Sequence, residues 1–209
     1  MFITLEGIEG SGKSTQAALL AEELRRRGRQ VLLTREPGGS PLGPHIRSLL
    51  LSEAHVPSPR CELLLYAAER AEHVERVIAP ALSRGEVVLC DRYGDATRAY
   101  QAFGRGLPRE LVETLHAAAT AGLEPDLTLY LRIGVEEGLR RARVRNREEA
   151  ERDEGRFEAE SLDFHRRVFE GYERLVEEYP ARIVPVEASG AVEEVLGRLV
   201  KVLEGRGVL

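Results

Sequence analysis

Gly7-Ile8-Glu9-Gly10-Ser11-Gly12-Lys13-Ser14 satisfies the pattern G-x-x-x-x-G-K-S/T, and it stands between a short apolar run, Phe2 to Leu5, and a helix-like stretch, Lys13 to Arg27. That placement of a glycine-rich loop between strand and helix restricts the fold more than any other feature of the chain. Glycines admit backbone conformations closed to other residues, so successive N–H groups can converge on phosphate oxygens while the helix adds its positive N-terminal end. The motif implies that Lys13 bridges the β- and γ-phosphates of ATP and that Ser14 ligates Mg²⁺. Gly7, Ile8, Glu9, Gly10, Ser11, Gly12 and Thr15 complete this candidate loop. Only two of the thirty basic residues are lysines, Lys13 and Lys201, so a lysine at position 13 goes against the grain of the composition.

The rest of the chain continues the alternation that the loop begins. Apolar, β-branched runs recur at Phe2–Leu5, Val31–Thr34, Val87–Cys90, Leu127–Ile133 and Ile183–Val186. Helix-like stretches separate them at Lys13–Arg27, Cys61–Ala81, Pro108–Ala119, Val135–Arg147, Glu158–Glu178 and Ala191–Glu204, with a shorter one near Leu42–Leu50. Strands alternating with helices predict an α/β fold, a five-stranded parallel sheet with helices on both faces. Residues 140–156 depart from the pattern. They are charged and poor in apolar side chains, as expected of a solvated helix and loop or of a mobile cationic lid.

Length and composition narrow the function. A chain of 209 residues suits one domain, 1–209. Cys61 and Cys90 are isolated, so neither a zinc spacing nor a disulfide framework can be built from them. A net charge of -5 argues against nucleic acid as a partner, while a single nucleotide held by a few arginines stays compatible. No apolar run is long enough for a membrane span, and Phe2 to Leu5 reads as a strand rather than a secretory signal, which predicts a cytoplasmic protein.

A guanine-specific GTPase would need an N-K-x-D motif, and neither lysine follows an asparagine. Asp91-Arg92-Tyr93 follows the apolar run Val87 to Cys90, which places an acid and a base at the carboxyl end of a strand, where open α/β sheets bind ligands. Asp91 is a candidate to organise Mg²⁺ and its waters, and Arg92 to clamp a phosphate.

Taken together, Glu9 in the loop, Thr34-Arg35-Glu36-Pro37-Gly38-Gly39, Tyr66-Ala67-Ala68-Glu69-Arg70, Asp91-Arg92-Tyr93, Tyr100-Gln101, Gly104-Arg105-Gly106 and Pro125-Asp126-Leu127 follow the order seen in bacterial thymidylate kinases. The chain resembles that family over nearly its whole length. The resemblance implies Mg·ATP as donor, dTMP as acceptor, transfer of the terminal phosphoryl group, and a homodimer. It implies that Tyr66 stacks on thymine and that Arg70, four residues on and on the same helix face, bonds the base. By the same resemblance Thr97 and Gln101 lie at the thymine edge and Tyr100 crowds the 2′ position. Glu9 meets the 3′-hydroxyl, Arg35, Arg47 and Arg92 hold the acceptor phosphate, and Pro37 belongs to the same dTMP site. Similar kinases suggest a cis Glu36-Pro37 peptide, although an X–Pro sequence alone reads as trans.

Some thymidylate kinases carry an arginine inside the phosphate loop; Gly7 to Ser14 has none, so the further catalytic charge is expected from the lid. Arg143 and Arg147 are the candidates for the transferring group, Arg156 for a helper and Arg141 for the adenine ring. Two other readings share the phosphate loop: a kinase for another monophosphate, and a nucleotide-dependent regulator that transfers nothing.

Overall fold

Phe2–Glu6 (β1), Val31–Arg35 (β2), Val87–Asp91 (β3), Leu127–Arg132 (β4) and Ile183–Glu187 (β5) lie side by side in the order β2-β3-β1-β4-β5. Every pairing is parallel. This sheet belongs to a computed structural model that describes the backbone of residues 1–148 and 155–209 and the side chains of 1–144 and 155–209. Because β1 and β3 are buried on both faces, their sequences are nearly continuous apolar runs rather than alternating ones. Successive side chains of β1 point to opposite faces, so one strand feeds two cores. Ile3 and Leu5 pack with Leu20 and Leu24 of α1 (Lys13–Arg26) and with Leu199 and Leu203 of the C-terminal helix at Val192–Gly205. Phe2 joins Val88 and Cys90 of β3 to Val74, Ile78, Ala81 and Tyr93 on the other side.

Register brings the working ends level. Leu5 of β1 and Arg35 of β2 both lie opposite Asp91 of β3, so the loop after β1, the Arg35 turn and the Asp91 turn open at one edge. That edge is where the strand order reverses direction about β1, the place an open parallel sheet offers a ligand.

The helices match the alternation read from sequence, with differences that have local causes. Gly43–Leu51 (α2) is the expected short helix, with proline in its first turn. The stretch expected as one helix from Cys61 to Ala81 is Pro59–His73 (α3), a π-helical turn at Val74–Ile78, and Ala79–Ser83 (α4). Pro80 lacks an N–H and crowds the preceding turn, and the widened π turn just ahead of it relieves both problems. Gly94–Thr97 (α5) and a second π-helical turn, Arg98–Gly104, were not foreseen at all. The run between Asp91 and Pro108 has too few apolar repeats to mark a helix. Arg109–Thr120 (α6) and Val135–Glu148 (α7) follow. The next helix, Leu162–Glu178 (α8), begins four residues later than expected, because Ser161 caps it by accepting a hydrogen bond from the Phe164 amide at 3.2 Å. The C-terminal helix is α9 (Val192–Gly205). Glu36-Pro37 is cis, which corrects the trans reading that the dipeptide alone gives. Among the described residues no helix is long and apolar enough to cross a membrane.

Candidate active site

The phosphate loop is built on three left-handed glycines, Gly7, Gly10 and Gly12, with φ of 144°, 70° and 88°. Gly12 caps the start of α1, so the loop's amides and the helix's positive end share one concave surface. Lys13 folds back over it, donating to the Ile8 carbonyl at 2.8 Å and to Ser11 Oγ at 3.2 Å. Burial, joined by neighbouring Arg92, brings the Lys13 ammonium down to about 7 against the opposing pull of Asp91, Glu9 and Glu6. A cation so held favours the arrival of an anion.

In front of the loop opens a cleft of about 380 Å³. The structure brings to its walls most of the residues expected there: Glu9, Gly10, Gly12, Lys13, Ser14 and Thr15 from the loop, then Arg35, Pro37, Arg47, Tyr66, Arg70, Asp91, Arg92, Thr97, Tyr100 and Gln101. Gly7, Ile8 and Ser11 are buried behind that wall and shape the loop from below. Tyr66 and Arg70 reach the cleft from one face of α3, as their spacing requires. The Arg70 guanidinium is fixed first, donating through Nε to Glu36 at 2.8 Å and through Nη2 to Thr97 Oγ1 at 2.9 Å and the Tyr93 carbonyl at 3.1 Å. Glu36 is itself held by His73 at 2.9 Å, and the Arg70 charge overcomes burial to keep its carboxyl below the usual range.

Arg92 is the centre of the arrangement. It sits at φ 70°, a left-handed conformation that only glycine adopts freely. Its guanidinium donates to the Gly7 carbonyl at 3.0 Å and to Glu9 Oε1 at 3.1 Å, and lies 4.9 Å from the centre of the Tyr100 ring. It thereby ties the acceptor side of the cleft to the phosphate loop. Glu9 also accepts from Tyr100 Oη at 2.6 Å, and His165 Nδ1 stands 3.5 Å from its other oxygen. Burial alone would raise the Glu9 carboxyl; His165, Arg92, Lys13 and Tyr100 together bring it down to about 2.

Ser14 Oγ donates to Asp91 Oδ2 at 2.6 Å. One hydroxyl and one carboxylate at the mouth of the loop are the hard oxygen donors that suit a Mg²⁺ ion keeping most of its waters, so these residues fit the metal implied by the motif.

Four expected residues stand elsewhere or beyond description. Arg156, taken as a lid helper, is buried outside the cleft wall, donating to Glu62 at 2.7 Å and to the Leu50 carbonyl. A basic residue in a polar segment gives no hint that Glu62, at 0% exposure in the first turn of α3, waits for it along with Arg105 and Gln101. Arg141 donates to Glu137 and, at 3.2 Å, to the Ala188 carbonyl in the loop after β5. Arg143 is exposed on α7, while the Arg147 side chain and residues 149–154 of the expected lid lie outside the described residues. Sequence reasoning missed Glu36, Leu51, Tyr93, Ala96, Phe157 and Glu158 in the cleft wall, and His165 behind Glu9. Glu36 and Tyr93 stand in motifs read without a role for them, and His165 left a trace as a titratable side chain on the apolar stripe Phe164, Val168, Tyr172, Leu175 of α8.

With this geometry in view, the likeness to known proteins is consistent over the whole chain. The family model described as thymidylate kinase matches residues 5–198. A thymidylate kinase of Trichlorobacter lovleyi is 56% identical over 190 residues, 90% of each chain. One of Desulfovibrio desulfuricans is 53% identical over 198 residues, 94% of this chain and 91% of its own. The crystal structure of thymidylate kinase from Ehrlichia chaffeensis superposes with a TM-score of 0.77 at 33% identity, covering 98% of both chains. This chain belongs to the thymidylate kinase family.

Proposed function

We propose that Arg92 is the clamp about which this thymidylate kinase aligns its two substrates, with Lys13 on the donor phosphates and Arg35 and Arg47 on the acceptor phosphate. The reaction moves the terminal phosphoryl group of ATP onto dTMP, giving dTDP and ADP. The acceptor oxygen is already anionic, so no strong general base is needed, and catalysis rests on alignment and on neutralising two like-charged groups. One observation carries the reading: the Arg92 guanidinium is bonded to the phosphate loop at Gly7 and Glu9 and lines the same cleft as Tyr66, Arg70 and Thr97. From there its fork can face both phosphates at once.

Ser14 and Asp91 would hold Mg²⁺, which when bound shields the charge of the donor phosphates. Tyr66 offers a ring and Arg70 a fixed guanidinium to a planar base, and Thr97 and Gln101 border the same end. Tyr100 is held by Glu9 where it would limit the room beside a sugar. Arg143 and Arg147 are the lid cations, and Arg141, anchored at Ala188, borders the adenine side. Arg156 is better read as a tie between α2, α3 and the end of the lid than as a catalytic helper. A homodimer and a cytoplasmic location complete the proposal, in keeping with the family.

ADP and dTDP formation, measured with Mg·ATP and in parallel dTMP, dUMP, UMP, CMP, dGMP, AMP or no acceptor, tests the reading. dTMP should lead the other acceptors. Equal turnover of another monophosphate would sink the base-pocket roles, and absence of transfer would sink the enzyme. Arg143→Ala and Arg147→Ala should each slow turnover by about tenfold or more with an unchanged circular dichroism spectrum; wild-type turnover in both would remove the lid from the chemistry.

A further inference from the structure

We propose that Glu6, at the buried end of β1, is a positioning residue for Arg92, holding its backbone through the Tyr93 and Ala96 amides and its guanidinium through the Tyr172 hydroxyl. The proposal rests on the reading of Arg92 as the phosphate clamp. Glu6 touches neither the phosphate loop's concave face nor the cleft wall, and it is fully buried. A carboxylate in such a place requires a set of donors, and each donor found there leads to Arg92.

The backbone arm comes first. Glu6 Oε1 accepts from the Tyr93 amide at 2.7 Å and from the Ala96 amide at 3.2 Å, the residues just after Arg92. On the other side the Arg92 amide donates to the Leu5 carbonyl at 3.0 Å. The left-handed conformation of Arg92 is thus pinned on both flanks by the end of β1, which is what a non-glycine residue at φ 70° needs to persist. The second arm runs through a side chain. Tyr172 Oη donates to Glu6 Oε2 at 2.8 Å and lies 3.5 Å from Arg92 Nη1, which leaves an oxygen lone pair for the guanidinium. Tyr172 is itself set by stacking on Tyr130 with ring centres 5.0 Å apart. The relay therefore has a direction: Arg92 donates to Tyr172, and Tyr172 donates to Glu6.

Charge completes the case. Burial, with Asp95 nearby, pushes the Glu6 carboxyl up to about 7, while Arg92, the Tyr172 hydroxyl and the Tyr93 amide pull the other way. A group that is costly to ionise and still has three donors gathered on its two oxygens points to a role beyond packing.

Glu6→Gln separates that role from structure. The glutamine oxygen can still take both amides, so the turn and the fold are retained. Its amide nitrogen would instead donate to Tyr172, which reverses the relay and turns the tyrosine hydrogen toward Arg92. Tyr172→Phe removes the relay from a different helix. Steady-state kinetics of E6Q, Y172F, the double variant and R92A, with melting temperatures at pH 8, form the test. Both single variants should lose about tenfold in kcat/KM for dTMP, the value of one hydrogen bond to a charged group. KM for ATP should move less than that for dTMP, the double variant should fall no further than either single, and E6Q should melt no lower than wild type. Losses that multiply in the double variant, losses that follow a falling melting temperature, or E6Q and Y172F at wild-type rates beside an impaired R92A would overturn the relay. R92A at the wild-type rate would instead remove the clamp, and the relay with it.

Discussion

At the scale of single residues, function here depends on forks and fixed rings rather than on charge alone. Arg92 bonds Gly7 and Glu9 with different nitrogens of one planar group, an arrangement a lysine cannot copy. Arg92→Lys should therefore cost about a hundredfold in kcat, near 3 kcal/mol of transition-state stabilisation, although the charge is kept. A pre-steady-state or steady-state assay with saturating dTMP checks this, and a loss below about threefold would show that a point charge suffices. The expected residues whose joint placement in the cleft follows from spacing have local partners. Tyr66 and Arg70 are one helical turn apart, and Ser14 belongs to a contiguous motif, so spacing alone predicts their common direction. The buried tie of Arg156 was not legible because its partner, Glu62, is 94 residues away, and Glu6 went unnoticed because a β-strand acid looks the same whether solvated or buried. Long-range pairing of polar groups leaves no periodic trace.

At the scale of elements, two glycines set how closely the lid helix meets the phosphate loop. A Cβ on Gly10 would lie 1.9 Å from the Gly138 carbonyl oxygen, and one on Gly138 would lie 2.6 Å from the Glu9 carbonyl oxygen. Neither neighbour is a movable side chain, so the first turns of α7 seat against the loop only because both positions lack a side chain. Gly138→Ala is accommodated by the helix itself, since alanine favours helix. The clash must therefore be relieved at the loop, and KM for ATP should rise by about tenfold with helix content unchanged, as measured by circular dichroism and ATP titration. A second element-scale tie is Asp95 at the start of α5, 1% exposed. It joins Arg98 at 3.0 Å and Arg182 at 2.6 Å, bringing together α5, the π-helical turn and the residue before β5. Asp95→Asn leaves two arginines short of their counter-charge and should destabilise the fold by about 3–5 kcal/mol in chemical denaturation; a loss below about 1 kcal/mol would mean that the remaining acids, Glu113 and Glu124, satisfy Arg98 without it. The strands and most helices were legible because their apolar periods are long. The π-helical turn ahead of Pro80 and the capped start at Ser161 were not, since each is decided by one residue acting on an otherwise helical run.

At the scale of the whole molecule, buried carboxyls fall into two groups that oppose one another as pH changes. Glu9, Glu36 and Asp95 are held below their ordinary range by arginines and histidines that outweigh burial. Their stabilisation is present above the unfolded value near 4.5 for glutamate, somewhat lower for aspartate, and is lost as pH falls toward the folded values, about 2 for Glu9. Glu6 and Glu69 are held above theirs, chiefly by burial. For them the folded state binds the proton more tightly than the unfolded state, so their stabilisation is complete below about 4.5 and declines as pH rises, through about 7 for Glu6. The wild-type melting temperature should therefore climb steeply from pH 2 to near 5 and flatten or sag between 5 and 8. Glu6→Gln cannot ionise, so it removes the largest identified part of that sag. The stability of the variant relative to wild type, followed by melting temperature, should be higher at pH 8 than at pH 5, by at most the 3 kcal/mol or so that a shift of this size carries. A difference that goes on widening by about 1.4 kcal/mol per pH unit as far as pH 8 would mean that Glu6 stays protonated in the fold. In that state its own hydrogen is available to the Tyr172 oxygen, and the relay to Arg92 would lose the direction that the carboxylate gives it. The same scan of melting temperature against pH thus joins the stability of the whole fold to the placing of one arginine in the cleft.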